Sequence, residues 1–317
     1  MSIVEDILAK IKEYNVITIH GHKRPDGDCY GCQFGLKNII KTSFPEKEVY
    51  VVGEVCNYVT WLGTPDEIDD EKFKGAIAIC VDCGNAERLS DQRYTLADYV
   101  IKIDHHIPVD QYGDIQFVED EKPACAQMIF EIFDAHRDEL KITKEGAVAL
   151  YTGILTDTGR FRYDSVAPST FRAAAKLLEL GVDIVDIDNK LSVETLDVIK
   201  FKGYVLSNFQ MTPEGFAYIV VKKEVIEEFG VAMEDAANQV NLISTIPGYP
   251  VWALIIEYPA EIRIRLRSRG PNVDLLANQY GGGGHAKAAG AKLESWEQLP
   301  QFVSDASKIA KEYNESL

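Results

Sequence analysis

The residues best suited to chemistry in this sequence are histidines and aspartates in short polar motifs. Six of them are candidate metal ligands: His22, Asp26, Asp28, Asp82, His105 and Asp157. A mixed set of imidazole and carboxylate ligands suits Mn²⁺, Fe²⁺, Co²⁺ or Zn²⁺ better than Ca²⁺. Two cations about 3.5–4 Å apart can share a carboxylate and a water, which becomes hydroxide near neutral pH and attacks phosphorus. These residue types therefore predict metal-dependent hydrolysis of a phosphate ester.

Clustering of the histidines favours this interpretation over a structural one. A single aspartate after a strand is often only a helix cap, which is the alternative for Asp82 and Asp157. However, five of the six histidines lie in these motifs or in a glycine-rich one, and only His136 lies elsewhere. We find no serine or cysteine triad that would replace the metal chemistry.

Four of the six cysteines form two Cys-x-x-Cys pairs, Cys29/Cys32 and Cys80/Cys83. A zinc site is one interpretation, but Cys80 lies in an apolar segment that reads as a strand, where residues three apart face opposite ways. We therefore expect reduced, partly buried thiols.

Hydrophobic patterning predicts that the polar motifs follow strands. Apolar segments at 16–19, 76–81 and 99–103 predict strands, and each runs into a polar motif. Further segments predict a strand at 48–52 and helices at 3–14, after residue 28 to about 40, and at 124–135, 144–155 and 169–180. Alternating strands and helices indicate a largely parallel sheet, whose ligand sites lie beyond the carboxyl ends of its strands.

A second pattern follows a polar, mostly helical stretch near 183–202. It predicts strands at 205–211, 216–221, 251–258 and 262–267 and a final amphipathic helix near 296–313. We therefore expect an α/β protein with a parallel-sheet domain at 1–185, a helical linker at 186–204 and a smaller α/β domain at 205–317.

Four arginines alternate with apolar residues in the second half: Arg263, Arg265, Arg267 and Arg269. On a strand they share one face. A solvated face is the ordinary interpretation, but four arginines without a compensating acid favour phosphate recognition. A glycine run at 281–284 allows close backbone approach to an anion, and a helix starting near His285 would add its N–H groups.

Length, charge and composition limit the number of domains and the class of protein. A chain of 317 residues predicts about two domains. Its net charge of −17 disfavours binding of long nucleic acid through a broad basic surface. The longest apolar runs, 76–81 and 251–256, are too short to span a bilayer. The acidic start lacks a basic region, so we expect a cytoplasmic protein without a secretory signal.

Taken together, the motifs resemble the DHH phosphoesterase family. The sequence is similar to its motifs at 22–28, 81–83, 104–106 and 153–158, and residues 281–290 resemble the DHHA1 domain. The resemblance covers essentially the whole chain. It implies a DHH metal-binding domain followed by a DHHA1 substrate-binding domain.

The resemblance also implies a role for each site residue. Asp82 would bridge two divalent cations, most naturally Mn²⁺, one held with His22 and Asp26 and the other with Asp28, His105 and Asp157. Asp104 would orient a histidine, and His106 would contact the scissile phosphate and help protonate the leaving group. The substrate would be bound by Arg263, Arg265, Arg267, Arg269, Gly282, Gly283, Gly284 and His285 in a cleft between the domains.

Within the family, the two-domain length is most similar to the nano-RNase (oligoribonuclease) and pAp-phosphatase branch. Its members hydrolyse short oligoribonucleotides and 3′-phosphoadenosine 5′-phosphate, so the expected partners are short RNA or phosphorylated nucleotides. The alternatives are a phosphodiesterase for linear dinucleotides from cyclic-dinucleotide signalling and a RecJ-like single-strand exonuclease. A non-catalytic nucleotide-binding regulator is disfavoured because no metal ligand is lost. The sequence leaves a homodimer open.

Overall fold

A computed structural model describes residues 2–108 and 110–317. The chain divides into two compact units, one that ends at Ser192 and one that runs from Val193 to Leu317. The segment predicted as a linker, 186–204, overlaps the last helix of the first unit and the first helix of the second. No helix in the described part of the chain is long and apolar enough to cross a bilayer.

The described residues of the first unit form a parallel sheet of five strands with order β2-β1-β3-β4-β5. The strands are β1 (Val16–His20), β2 (Glu48–Val52), β3 (Ile77–Val81), β4 (Tyr99–Asp104) and β5 (Ile115–Val118). The helices are α1 (Ile3–Glu13), α2 (Gly27–Ser43), α3 (Cys125–Ala135), α4 (Lys144–Asp157), α5 (Pro168–Glu179) and α6 (Ile184–Ser192). The predicted parallel α/β sheet is confirmed.

The central position of β3 follows from its composition. All five of its residues are buried, as expected for a parallel strand covered on both faces. β3 pairs with β1 on one side and β4 on the other, so the carboxyl ends of these three strands meet at one edge. The polar motifs after them are thereby brought together.

The second unit, all of whose residues the structure describes, contains a sheet of six strands with order β10-β11-β9-β8-β7-β6. The strands are β6 (Gln210–Met211), β7 (Phe216–Val221), β8 (Val251–Glu257), β9 (Ile262–Ser268), β10 (Gly283–His285) and β11 (Ala288–Leu293). The helices are α7 (Leu196–Asn208), α8 (Lys223–Phe229), α9 (Met233–Ala237), α10 (Asp274–Gln279) and α11 (Leu299–Glu315). Only the β7–β8 pair is parallel.

Two predictions for this unit are wrong. Most of the predicted strand at 205–211 belongs to the end of α7. Val198, Phe201 and Val205 lie on one face of this helix and pack against β7 and β8, which stabilises the helix. The predicted helix near His285 is the hairpin of β10 and β11 instead, in which Gly284 (φ 141°) pairs with Ala289. The glycine run therefore supplies a strand edge and no helix N-terminus.

Candidate metal centre

The loop after β1 presents the first three predicted ligands. Asp26 is the N-cap of α2, and its Oδ1 accepts the backbone N–H groups of Asp28 and Cys29, both at 3.0 Å. Its other oxygen, Oδ2, lies 3.8 Å from His22 Nε2. The cap interaction uses one oxygen of Asp26 and leaves the other directed at the histidine.

Close packing of α2 against α4 places Asp28. A Cβ atom at Gly31 would lie 2.5 Å from the carbonyl oxygen of Ala149, and one at Gly153 would lie 2.9 Å from Asp28 Oδ1. Only glycine fits at such distances. The buried carboxylate of Asp28 accepts the N–H groups of Cys125 (2.6 Å) and Ala126 (2.9 Å) at the start of α3. Asp28 thus caps a helix from another part of the chain, where the dipole favours a negative charge.

Asp82 lies at the centre of the cluster. It follows β3 with a φ of 55°, a left-handed conformation that aspartate tolerates better than most residues. Its Oδ2 lies 3.5 Å from His22 Nε2, and its Oδ1 lies 3.3 Å from His105 Nε2. The two oxygens of this one buried side chain therefore face two different histidines.

His105 lies close to two further candidate ligands, Asp157 and Asp28. Its Nε2 lies 3.4 Å from Asp157 Oδ2 and 3.8 Å from Asp28 Oδ2. Asp157 is the last residue of α4. The sequence had instead predicted that this helix ends at residue 155, before Asp157. The structure therefore brings all six predicted ligands into one group at the strand ends.

Both imidazoles are oriented by their second nitrogen. His22 Nδ1 lies 3.0 Å from the carbonyl oxygen of Lys23, and His105 Nδ1 lies 3.0 Å from that of Lys122. A carbonyl oxygen can only accept, so each Nδ1 carries a proton and donates it. In the neutral ring Nε2 then has a lone pair for a metal ion, which is the usual arrangement of ligating histidines.

The cluster holds more negative charge than it can stabilise alone. Burial, together with the nearby carboxylates of Asp82 and Asp157, raises the pKa of Asp28 well above its usual value. Burial and the carboxylate of Asp82 also raise the pKa of Asp157, to about 7, although His105 opposes this shift. For His105, burial lowers the pKa, but Asp82, Asp28 and Asp157 outweigh it and raise the pKa to about 11. Cations would relieve this crowding of carboxylates.

These residues fit divalent metal ions. Among the described residues, the buried Oδ1 of Asp82 has no hydrogen-bond partner, which is costly for a carboxylate oxygen unless a ligand satisfies it. Nitrogen atoms of His105 and His106 lie 3.3 Å and 3.6 Å from that atom, and Asp28 and Asp157 form a further candidate ligand group with His105. The arrangement matches the donor set that borderline divalent cations prefer.

His106 stands beside this group with a partner of its own. Its Nδ1 lies 2.8 Å from Asp104 Oδ1, which also accepts the backbone N–H of His106 at 3.2 Å. Asp104 is fully buried, whereas the side chain of His106 is 42% exposed. The carboxylate fixes the ring through Nδ1, so Nε2 is the nitrogen left for a reacting group.

The cysteines do not form a shared zinc site. All six are free and buried, and no ligand group among residues 2–108 and 110–317 combines the two Cys-x-x-Cys pairs. Cys29 lies close to His22 and Asp82, which the sequence pattern did not indicate. Burial raises the pKa of its thiol to about 12, so the neutral thiol is the stable form.

The predicted arginine face exists on β9. Residues of β9 alternate between a buried apolar face and an outer face that carries Arg263, Arg265 and Arg267. The register places Arg267 opposite Ala288, which in turn lies opposite His285. Directly opposed residues share a face of the sheet, so His285 and Arg267 flank a small alanine. We call the outer side chains of Arg263, Arg265, Arg267, His285 and Lys292 the basic face.

The expectation that these arginines lack acidic partners is wrong. Arg263 pairs with Glu261, and Arg265 NH2 lies 3.0 Å from Glu234 Oε2. Glu234 comes from α9, far from β9 in sequence, so the alternation within β9 could not reveal it. Arg269 lies beyond the end of β9, and its NH2 donates to the carbonyl oxygen of Ile246 at 3.3 Å.

A shallow cavity of about 290 Å³ lies on the basic face. It is lined in part by Tyr258, Arg263, Arg265 and Lys292, and the guanidinium of Arg263 stacks on the Tyr258 ring at 4.5 Å. Tyr258 and Lys292 were missed from the sequence. Lys292 could have been found from its alternation with buried Ala291 and Leu293 in β11.

Comparison with known proteins identifies similar chains. The sequence profile of the DHH family N-terminal domain matches residues 16–154, and that of the DHHA1 domain matches residues 215–312. The bifunctional oligoribonuclease and PAP phosphatase NrnA of Bacillus subtilis (strain 168) is 34% identical, over 97% of this chain and 99% of that protein. A protein of the same name from Mycoplasma genitalium is 37% identical, over 97% of each chain.

A solved structure shares the fold. The crystal structure of an exopolyphosphatase-related protein from Bacteroides fragilis matches with a TM-score of 0.88 at 25% identity. The match covers 99% of this chain and 97% of that one.

Proposed function

Because this chain belongs to the DHH family, we propose that it hydrolyses short oligoribonucleotides and 3′-phosphoadenosine 5′-phosphate at a centre of two divalent cations. The chain is a phosphoesterase, a hydrolase that acts on phosphate esters. The substrates are proposed from the names of relatives that are 34% and 37% identical over nearly their whole length.

The observation that carries the proposal is the position of Asp82. One carboxylate with its oxygens 3.5 Å and 3.3 Å from two different imidazoles is suited to bridging two cations. His22, Asp26 and Asp82 would hold one cation, and Asp82 would share the other with the remaining ligands, Asp28, His105 and Asp157. When bound, the cations would activate a water and neutralise negative charge on the phosphoryl oxygens. The imidazole and carboxylate donors favour Mn²⁺.

The protein's own contribution to the reaction is proposed for His106. Asp104 holds its Nδ1 at 2.8 Å, which leaves Nε2 to contact the scissile phosphate and to give a proton to the departing oxygen. The partly exposed ring is accessible to a substrate, while Asp104 is shielded from water. His106 thus acts on the phosphate and the ligands hold the cations.

The basic face of the second unit is proposed to bind the rest of the substrate. Its cationic groups stand out in a chain of net charge −17, and arginine recognises phosphate through paired N–H groups. A long RNA gains affinity mainly from phosphate neutralisation over an extended surface, which an acidic protein supplies poorly. We therefore propose a preference for about two to five nucleotides, the range that the family resemblance implies. A cytoplasmic location and homodimer formation stay predictions of the sequence.

A substrate screen tests the proposal. Protein stripped with EDTA and reloaded with Mn²⁺ is assayed on a diribonucleotide, a pentaribonucleotide, a 24-nucleotide RNA, 3′-phosphoadenosine 5′-phosphate, a linear dinucleotide with a 5′-phosphate and pyrophosphate. We expect turnover of the short RNAs and the bisphosphorylated nucleotide, at least about tenfold faster than the 24-nucleotide RNA. The Asp82→Asn variant, assayed in parallel, controls for contaminating nucleases.

Each other outcome selects an alternative. Equal rates on the long and short RNAs would favour an exonuclease. Turnover of the linear dinucleotide alone would favour a role in cyclic-dinucleotide breakdown. Metal-loaded protein that binds nucleotides and hydrolyses none of them would overturn the enzymatic proposal.

A further inference from the structure

Lys102, in the middle of β4, is an unusual buried charge. The residue has 0% of its surface exposed, and lysine is almost never fully buried unless it is paired. Its neighbours Ile101 and Ile103 project into the hydrophobic core on the opposite face of the strand. A charge at this place needs compensating partners, and these partners indicate what it does.

The ammonium group of Lys102 has two hydrogen-bond acceptors and one ion-pair partner. Nζ lies 3.4 Å from Asp104 Oδ2 and donates to the carbonyl oxygens of Gly84 at 2.9 Å and Asp110 at 3.4 Å. It also lies 4.7 Å from the centre of the Tyr112 ring, a cation–π distance. This environment fixes the ammonium group in one place.

One of these partners is the carboxylate that orients His106. The two oxygens of Asp104 have different neighbours. Oδ1 accepts a hydrogen bond from His106, and Oδ2 faces Lys102. Among the described residues Oδ2 has no hydrogen bond, so the ammonium is the charge that compensates this buried oxygen. Lys102, Asp104 and His106 therefore form a line from the core to the partly exposed imidazole.

The other partners join the loops that follow β3 and β4. Gly84 comes two residues after Asp82, while Asp110 and Tyr112 lie in the segment after His106. Tyr112 donates its hydroxyl to the carbonyl oxygen of Cys83 at 2.8 Å, and Asp110 Oδ2 accepts the N–H of Ala86 at 3.2 Å. A Cβ atom at Gly84 would lie 3.3 Å from His106 Cβ. The loops are thus tied closely together, with Lys102 beneath them.

We propose that Lys102 is a positioning residue for phosphoester hydrolysis: its buried ammonium fixes Asp104 and the backbone at Gly84, and so holds His106 ready to protonate the leaving oxygen. This inference rests on the role proposed for His106. In that step a water oxygen bonds to phosphorus, the bond to the leaving oxygen breaks with its electron pair, and that oxygen takes the proton of His106 Nε2. The attacking water gives a proton to solvent.

The test compares two substrates whose leaving groups differ in their need for that proton. One is a diribonucleotide, whose ribose oxygen must be protonated as it leaves. The other is the p-nitrophenyl ester of a nucleoside 5′-phosphate, whose leaving group departs as a stable anion. The variants are Lys102→Met, which keeps the length without the charge, and Lys102→Gln, which can still donate to Gly84. Metal content is measured by mass spectrometry.

Lys47→Met is the matched control. Lys47 is also buried, and its Nζ donates to the carbonyl oxygens of Lys12 and Tyr14 at 2.9 Å and 2.6 Å. It lies just before β2, toward the amino ends of the strands, whereas the metal centre lies at the carboxyl ends. A loss that comes only from removing a buried lysine should appear in both variants.

We expect Lys102→Met and Lys102→Gln to lower kcat on the diribonucleotide by about 10- to 100-fold, the effect typical of removing a residue that orients a catalytic group. KM and metal content should stay close to those of the wild type, and the loss on the p-nitrophenyl ester should be within about threefold. Combined with His106→Asn, the change should add little, because Lys102 acts through His106.

Several results would overturn the inference. These are equal losses on the two substrates, the same substrate dependence in Lys47→Met, loss of a metal ion, or failure of both Lys102 variants to fold, which would make the lysine a purely structural residue. The role of His106 fails separately: His106→Asn would then show no preferential loss on the diribonucleotide.

Discussion

The candidate metal centre and the basic face carry opposite charges, and they differ in how far those charges are buried and paired. In the candidate metal centre, Asp28 and Asp82 are both buried, and Asp82 Oδ1 has no hydrogen-bond partner among the described residues. On the basic face the arginines are at least partly exposed, and Arg263 and Arg265 already pair with glutamates. A buried charge that lacks a partner calls for a ligand, whereas an exposed pair contributes little either way.

This difference ranks the consequences of mutation. Removing a group from the buried centre leaves other charges uncompensated in a poorly solvated place, which costs several kcal/mol. Removing an arginine from the exposed face loses a contact that water partly replaces. We therefore expect the largest effects at the metal centre and the smallest on the basic face.

Asp82→Ala should have the largest effect. Because the two oxygens of Asp82 face two histidines that we propose as metal ligands, the change should lower kcat by at least about a thousandfold and reduce the bound metal. Activity and metal content are measured beside those of His22→Ala, which removes a ligand of one cation only. Asp134→Ala, a change at a surface ion pair, serves as the control. More activity in Asp82→Ala than in His22→Ala would contradict the bridging role.

His106→Ala should be nearly as damaging to turnover without disturbing the cations. Loss of a general acid typically costs about 10²- to 10⁴-fold in rate. His106 Nδ1 lies 2.8 Å from Asp104 Oδ1, nearer than the 3.6 Å that separates it from Asp82 Oδ1. Metal content by mass spectrometry should equal that of the wild type. Loss of one cation would mean that His106 is a ligand and that the division of roles is wrong.

Metal removal should destabilise the first unit and abolish activity. The raised pKa values of Asp28 and Asp157 reflect crowded, buried carboxylates, and bound cations remove that repulsion. At a hundredfold excess over Kd, one bound cation contributes about 3 kcal/mol to the free energy of unfolding. Hydrogen exchange with and without EDTA should show the loss of protection in β1, β3 and β4. Turnover that persists in the presence of EDTA would contradict the proposed requirement for metal ions.

Arg267→Ala should give the smallest effect and act on binding. The register aligns Arg267 with His285, and loss of a charge-assisted contact should raise KM by about tenfold while kcat changes less. Arg269→Ala, beyond the end of β9, should act in the same direction. The effect should fade on substrates that lack the second phosphate or nucleotide. Arg137→Ala on α3's C-terminal side provides a surface control; an equal rise in KM there would remove the case for the basic face.

Local periodicity in the sequence predicts part of both regions. The grouping of the candidate ligands was predictable because an apolar run that ends in a polar motif places that motif at the carboxyl edge of a parallel sheet, as Asp82 and His105 illustrate. The alternation of Arg263, Arg265 and Arg267 likewise predicted their shared face. Both inferences use periodicity, which is local in sequence.

Contacts between distant segments could not be predicted in this way. Glu234 lies in α9, 31 residues before Arg265, and meets it only in the folded chain. Asp28 likewise caps α3 from a different helix. The glycines at 281–284 suit a helix start and a hairpin equally, and pairing with β11 decides for the hairpin. Lys102 was missed because a single lysine in a strand normally marks a solvent-exposed position.

Anomalous diffraction from crystals of the Mn²⁺-loaded protein tests the central claim most directly. We expect two manganese peaks about 3.5–4 Å apart, with the carboxylate of Asp82 between them and His22 and His105 on separate ions. A single peak, or a metal ion bound through Cys29 instead of Asp26, would contradict it.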